Sequence, residues 1–245
     1  MDKKVNFTIE KNVPLAKDVY ALTLSGDTGN IRAPGQFVNV ELPGHFLRRP
    51  LSVCDWAEGE LKLIYKVLGQ GTAELAEFHA GEQLDVLMGL GNGFNVRAAG
   101  EHPVLVGGGV GVPPLFALAK ALIAQGKTPD VVLGFNTADD VFYDDEFAAL
   151  GLKVAVCTVD AGRGHRGMVT DVLPPDADYL FACGPVPMLR ALDALPGKGQ
   201  LSMEERMGCG FGACMGCSIR TTRGTKRVCK EGPIFLKGEI LWDLL

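Results

Sequence analysis

The stretch Pro103-Val-Leu-Val106-Gly107-Gly-Gly-Val-Gly111-Val-Pro113-Pro114 decides the fold of the middle of the chain. A short apolar run meets a glycine-rich turn, and two prolines then open a helix expected to run to about Gln125. Proline suits a first helical turn, because the N–H it lacks has no partner there in any case. Further apolar runs follow at Asp130–Phe135, Lys153–Cys157 and Tyr179–Ala182, with helix-like segments between them. Strands alternating with helices predict a βαβ series on a parallel sheet. A glycine turn between the first strand and its helix suits a dinucleotide pyrophosphate. The residues concerned are Gly107, Gly108, Gly109 and Gly111. The spacing is not the strict Gly-x-Gly-x-x-Gly, and a tight strand–helix turn without a ligand reads equally well. A second signal, Cys183-Gly184-Pro185, ends the last of these strands. It falls at the carboxyl edge of the sheet, where open α/β folds bind their ligands.

Upstream, β-type runs dominate at Val5–Glu10, Val19–Ser25, Phe37–Leu42 and Leu61–Val67, punctuated by glycine and proline. With one brief helix near Thr72–His79, they predict an antiparallel β-barrel. The loop Leu90-Gly91-Asn92-Gly93-Phe94 is expected to close it. Within this region stands Arg48-Arg49-Pro50-Leu51-Ser52. An arginine and a hydroxyl three residues on can clamp a pyrophosphate, the guanidinium through a paired, charge-assisted contact. Gly69-Gln70-Gly71-Thr72 opens the brief helix, and free N–H groups at a helix start favour phosphate. A strand-edge arginine and a turn serine would look the same.

Downstream, the tail carries Cys209-Gly-Phe-Gly-Ala-Cys214-Met-Gly-Cys217 and then Cys229. Four thiolates spaced Cys-x4-Cys-x2-Cys-x11-Cys suit a plant-type 2Fe–2S cluster. The interleaved glycines let the backbone wrap the core and turn N–H groups toward sulfur. Zinc ranks second, since its ligands usually come as two tight pairs. Disulfides rank last, because seven cysteines are an odd number and the opening residues are too polar for a signal peptide.

At 245 residues the chain has room for two domains and a small third, divided here as 1–98, 99–200 and 201–245. A net charge of −5 argues against nucleic acid as a partner. The longest apolar stretch, Val104 to Leu118, is broken by glycines and prolines and reads as buried strand–turn–helix, not a membrane span. A cytoplasmic location is expected. Cys54 and Cys157 read as buried small hydrophobes. His45, His79 and His102 read as solvated, His165 as part of a polar surface loop, and Asp144-Asp145-Glu146 as a solvated helix start. No Lys or Arg occurs from Asn136 to Glu146, whereas Asp139 and Asp140 do, which favours NAD over NADP. Met207, Phe211, Met215, Ile234-Phe235-Leu236 and Ile240-Leu241-Trp242 are apolar. They read either as a docking surface or as a cover for the cysteine loop.

The order of these signals resembles the ferredoxin-reductase superfamily, in which Arg-x-x-Ser and a later Gly-Thr hold FAD and Cys-Gly-Pro lies beside the nicotinamide. The resemblance implies an FAD site at Arg49, Pro50, Leu51, Ser52, Ile64, Tyr65, Lys66, Gly71 and Thr72. Leu51 replaces the family's usual aromatic, so Tyr65 is expected to supply the ring. It implies an NAD site at Gly107, Gly108, Gly109, Gly111, Cys183, Gly184 and Pro185. With the tail motif Glu-Glu-Arg-Met-Gly-Cys, nearly the whole chain is similar to the electron-transfer subunits of NAD-dependent dihydroorotate dehydrogenase. That resemblance implies a partner subunit carrying FMN, with two copies of each chain in a heterotetramer. Electrons would run from FMN through the cluster on Cys209, Cys214, Cys217 and Cys229 to FAD and then NAD, as dihydroorotate becomes orotate in pyrimidine biosynthesis. The runner-up is a flavin/iron–sulfur subunit of an NAD(P)H:ferredoxin or sulfur oxidoreductase. A third reading, from another class, is a non-catalytic zinc-binding interaction module.

Overall fold

The computed structural model describes residues 4–245; the first three residues of the polar opening lie outside it. Six strands close into an antiparallel barrel: β1 (Lys4–Ala16), β2 (Val19–Ser25), β3 (Phe37–Val40), β4 (Arg49–Ala57), β5 (Glu60–Lys66) and β6 (Gln83–Leu90). The order around it is β1-β2-β5-β4-β3-β6. Two of these, β4 and β6, are not among the runs read from sequence, β1 continues past Glu10 to Ala16, and β3 ends at Val40 instead of Leu42. In β6 the alternation is plain, with Leu84, Val86, Met88 and Leu90 buried between more exposed neighbours. A short helix α1 (Gln70–Ala76) starts two residues earlier than expected and ends sooner. The barrel interior is filled by Phe7, Leu22, Val38, Leu63, Tyr65, Val86 and their neighbours.

The α/β part contains β7 (Pro103–Gly108), α2 (Pro113–Ile123), β8 (Asp130–Phe135), α3 (Asp144–Ala149), β9 (Val154–Thr158), β10 (His165–Arg166), β11 (Tyr179–Cys183), α4 (Val186–Ala194) and β12 (Lys198–Ser202). From β7 the chain steps outward to β8, β9 and β10 on one side, and β11 and β12 add on the other. All these neighbours are parallel. The order therefore reverses between β7 and β11, the position at which such sheets open a crevice.

The tail holds a ribbon of β13 (Ser218–Thr221) and β14 (Gly224–Arg227), then β15 (Ile234–Leu236). β15 pairs antiparallel with β12, so the last segment joins the seven-stranded sheet. A division at residue 200 falls inside β12. Barrel and sheet share one core, in which Val19, Cys54, Ile64 and Phe94 pack with Leu105, Leu115 and Phe181. Lys120 of α2 reaches Asp55 of β4 with 2.7 Å to each carboxylate oxygen. Among the described residues no helix is long and apolar enough to cross a membrane.

Candidate functional site

A cleft of about 730 Å³ opens where barrel, sheet and tail meet. The barrel contributes Pro50, Ser52 and Lys66, and the sheet contributes Gly108, Gly109, Gly111, Cys183, Gly184 and Pro185. Strand alternation explains which barrel residues face it. On β4, Pro50 and Ser52 line the cleft, whereas Leu51 packs against the barrel interior. On β5, Lys66 lines it, whereas Tyr65 points the other way. The expectation that Tyr65 supplies a flavin ring is therefore corrected. Its ring is buried inside the barrel, stacked on Tyr20 at 5.7 Å, and its hydroxyl donates to Asn12 Oδ1 at 3.0 Å.

The glycines of the sheet are explained by close approach. A Cβ on Gly111 would overlap the carbonyl oxygen of Cys183, and one on Gly108 would meet Met188 and Pro185. The glycine turn and the Cys-Gly-Pro turn are thus in van der Waals contact across the switch point. Gly107 serves differently: its missing side chain makes room for Val112 and Leu115, so it packs the turn onto α2. Burial pushes the Cys183 thiol up to about 12, against a hydrogen bond to Ser202 that pulls it down. It therefore stays a neutral thiol at the cleft. Of the two aspartates read from sequence, Asp140 lines the cleft; it accepts from Thr137 N at 3.1 Å and Thr137 Oγ1 at 2.8 Å.

Arg49, Gly71 and Thr72 lie together beyond the cleft's barrel edge. A Cβ on Gly71 would run into the Arg49 guanidinium. The Thr72 hydroxyl accepts from Leu68 N at 3.0 Å and Gly69 N at 3.3 Å, which caps the start of α1. His45 is not solvated, as expected from its turn; its side chain is only 15% exposed. Arg49 and Glu74 have drawn it in. His79 and His102 are exposed as expected. Asp144 corrects its reading too, being largely buried and ion-paired to Arg163 at 2.5 Å. Cys54 and Cys157 are buried, with burial pushing both thiols up.

The four tail cysteines lie as two pairs. Cys209 Sγ accepts from Ala213 N at 3.2 Å and Cys214 N at 3.4 Å, and Cys214 Sγ accepts from Cys209 N at 3.4 Å and Gly216 N at 3.5 Å. Cys217 Sγ accepts from Cys229 N at 3.4 Å. N–H groups aimed at sulfur are what a buried thiolate needs, and positive φ at Gly210, Gly212 and Met215 turns them that way. Partial burial pushes the Cys209 thiol up, but the N–H groups of Cys214, Phe211 and Ala213 more than offset it and leave it lowered to about 6. Burial, with Cys217 beside it, pushes Cys229 up to about 12, so a metal bound there would have to displace its proton. Two thiolates for each of two irons fit this donor set. Arg227 braces the loop by donating to Gly212 O while pairing with Glu231. Asn39 of β3 donates to Cys209 O at 3.3 Å, tying the loop to the barrel strand beside Pro50.

Sequence reading missed the cleft wall formed by Met168 and Thr170 and by Ser202, Met203, Glu204 and Glu205. The first pair carried no signal. The second run adjoins the Glu-Glu-Arg-Met motif and was read only as a flank of the cysteines. The apolar tail divides. Ile234, Phe235 and Ile240 are buried, whereas Phe211 and Met215 are 48% and 52% exposed beside the cysteines.

Residues 204–241 match the iron–sulfur cluster binding domain of dihydroorotate dehydrogenase B. A protein of Geobacillus sp. (strain WCH70) named dihydroorotate dehydrogenase B (NAD(+)), electron transfer subunit, is 47% identical over 98% of this chain and 100% of its own length. The protein of that name from Bacillus caldolyticus is 46% identical over 96% and 97%. Among solved structures, one of an NADH-dependent reduced ferredoxin-NADP oxidoreductase superposes with a TM-score of 0.87 at 31% identity, covering 97% of this chain and 90% of that one. Phthalate dioxygenase reductase shares the fold, with a TM-score of 0.63 at 15% identity over 89% and 87%. Full-length identity at this level places the chain in the family of electron-transfer subunits of NAD-dependent dihydroorotate dehydrogenase B.

Proposed function

We propose that this chain receives electrons from a catalytic partner subunit at its cysteine loop and delivers them to NAD at the cleft. The observation that carries this is the placing of the loop against β3, which itself pairs with the Arg49–Ser52 strand lining the cleft. Cys209, Cys214, Cys217 and Cys229 would hold a 2Fe–2S cluster. Arg49, Ser52, Lys66, Gly71 and Thr72, with Pro50, Leu51, Ile64 and Tyr65 as the strand framework, would hold FAD. Gly108, Gly109, Gly111, Cys183, Gly184 and Pro185 would hold NAD. Bound there, an iron–sulfur cluster carries single electrons, and a flavin can pair them for hydride transfer. The chain's own residues orient and shield. Cys183 presents an uncharged thiol to the cleft, and the packed glycines bring two backbone turns against the ligand.

The partner is proposed to be an FMN-containing dihydroorotate dehydrogenase subunit, two copies of each forming a heterotetramer in the cytoplasm. Phe211 and Met215, half exposed beside the exposed Cys214, supply its docking face. The isolated chain should reduce artificial acceptors with NADH yet fail to oxidise dihydroorotate. Adding the FMN subunit should give a stable complex with dihydroorotate:NAD activity. Phe211→Asp should weaken that complex at least tenfold in titrations while sparing NADH-driven flavin reduction. Dihydroorotate oxidation by the chain alone would overturn the assignment.

Asp140 at the cleft favours NAD, because a 2′-phosphate needs a cation and meets a carboxylate instead. The expected KM is lower for NADH than for NADPH at similar turnover. The reverse order would refute the nucleotide reading and leave the cluster reading intact.

A further inference from the structure

His45 has no place in the site read from sequence, yet it sits at the centre of a three-residue chain. Its Nδ1 lies 2.7 Å from Arg49 Nη2, and its Nε2 lies 2.6 Å from Glu74 Oε2. Chemistry fixes the roles. A guanidinium only donates, so Nδ1 must accept; a carboxylate accepts, so Nε2 must carry the proton. The imidazole is thus held in one orientation, with Glu74 of α1 at one end and Arg49 of β4 at the other. Gln70 also donates to Glu74, at 3.0 Å, and holds the carboxylate in place. These contacts pull the Glu74 carboxyl below its usual range, the hydrogen bond from His45 foremost.

Arg49 is confined from two further sides. Its Nη1 donates to Leu47 O, and its guanidinium lies on the bare backbone of Gly71, where a Cβ could not fit. Only two of its five N–H groups are taken up among the described residues, one by His45 and one by Leu47. The remaining three, one on each nitrogen, are left to donate elsewhere. An unheld arginine would have to order its long, rotamer-rich side chain on binding, which weakens affinity.

We propose that His45 is a positioning residue for Arg49, relaying Glu74 of α1 to the arginine and fixing the orientation of its remaining N–H groups for the flavin pyrophosphate. The inference rests on the reading of Arg49 as the FAD clamp. It assigns the adjacent loop a part in holding flavin that neither composition nor motif gives it.

The test is a double-mutant cycle on FAD affinity, measured by flavin fluorescence during dilution of the purified full-length protein. His45→Ala should weaken FAD about three- to tenfold. His45→Asn should recover most of that loss, because its amide oxygen can stand where Nδ1 stands. In an Arg49→Ala background, His45→Ala should add nothing further, since the residue acts only through the arginine. Iron content and the melting temperature of the flavin-free protein should be unchanged by His45→Asn. If Arg49→Ala leaves FAD affinity unaltered, the clamp reading itself fails. If Arg49→Ala weakens FAD but His45→Ala does not, or if the two losses simply add, the relay is wrong and the clamp stands.

Discussion

Cys217→Ala is expected to empty the tail of iron while leaving the flavin in place. Wild-type protein purified without oxygen should contain about two irons per chain, as a 2Fe–2S cluster requires. The variant should fall to near none and lose its visible charge-transfer absorption. Cys217 is the informative position because it is 2% exposed and packs with Val228 and Cys229, so no outside thiol or water can easily take its place. Flavin released on denaturation should be undiminished, because the elements carrying Arg49, Ser52 and Lys66 are separate strands of the barrel. Stoichiometric zinc without iron in the wild-type protein would overturn the cluster assignment.

Gly111→Ala should do comparable damage at the other end of the relay. The added methyl would overlap the backbone carbonyl of Cys183, and no rotamer change can relieve a backbone clash. Overpacking of this kind costs about 1–3 kcal/mol. Here it must part the glycine turn from β11, and these two turns together are proposed to hold NAD. NADH-driven flavin reduction, followed by rapid mixing, should slow by about tenfold or more, equivalent to roughly 1.4 kcal/mol in the barrier. Flavin content should hold. An unchanged rate would remove the glycine turn from the nucleotide site.

What was legible in the sequence was what local chemistry encodes. Cysteine spacing, a glycine turn followed by prolines, and Cys-Gly-Pro each state their geometry within a dozen residues. β4 was only half legible, because Pro50 and a bulge near Cys54 interrupt its alternation. β6 was legible in principle, with Leu84, Val86, Met88 and Leu90 at alternate positions. β15, three residues long, exists only because β12 offers it an edge. The wrong side for Tyr65 came from reading a motif without its strand parity; Ile64 and Lys66 share one face and Tyr65 takes the other. His45 was misread for a different reason. Its two partners are four and twenty-nine residues away, and only barrel closure brings them together.

The pairing of β12 with β15 has a consequence for how the holoprotein is made. Ser202 and Ile234 stand directly opposite each other, so the segment 203–233 leaves the sheet and returns to the same point. Its two ends are fixed by the sheet's hydrogen bonds and not by iron. With the ends already held together, ordering that excursion costs less chain entropy than ordering a free tail. The metal-free chain is therefore expected to fold before the cluster is delivered, its cysteines tethered between β12 and β15. Cluster delivery becomes a late step performed on a finished scaffold. Loss of iron to oxidation would be a local and refillable event, with hydrogen exchange rising in 204–231 while the barrel and the parallel strands stay protected.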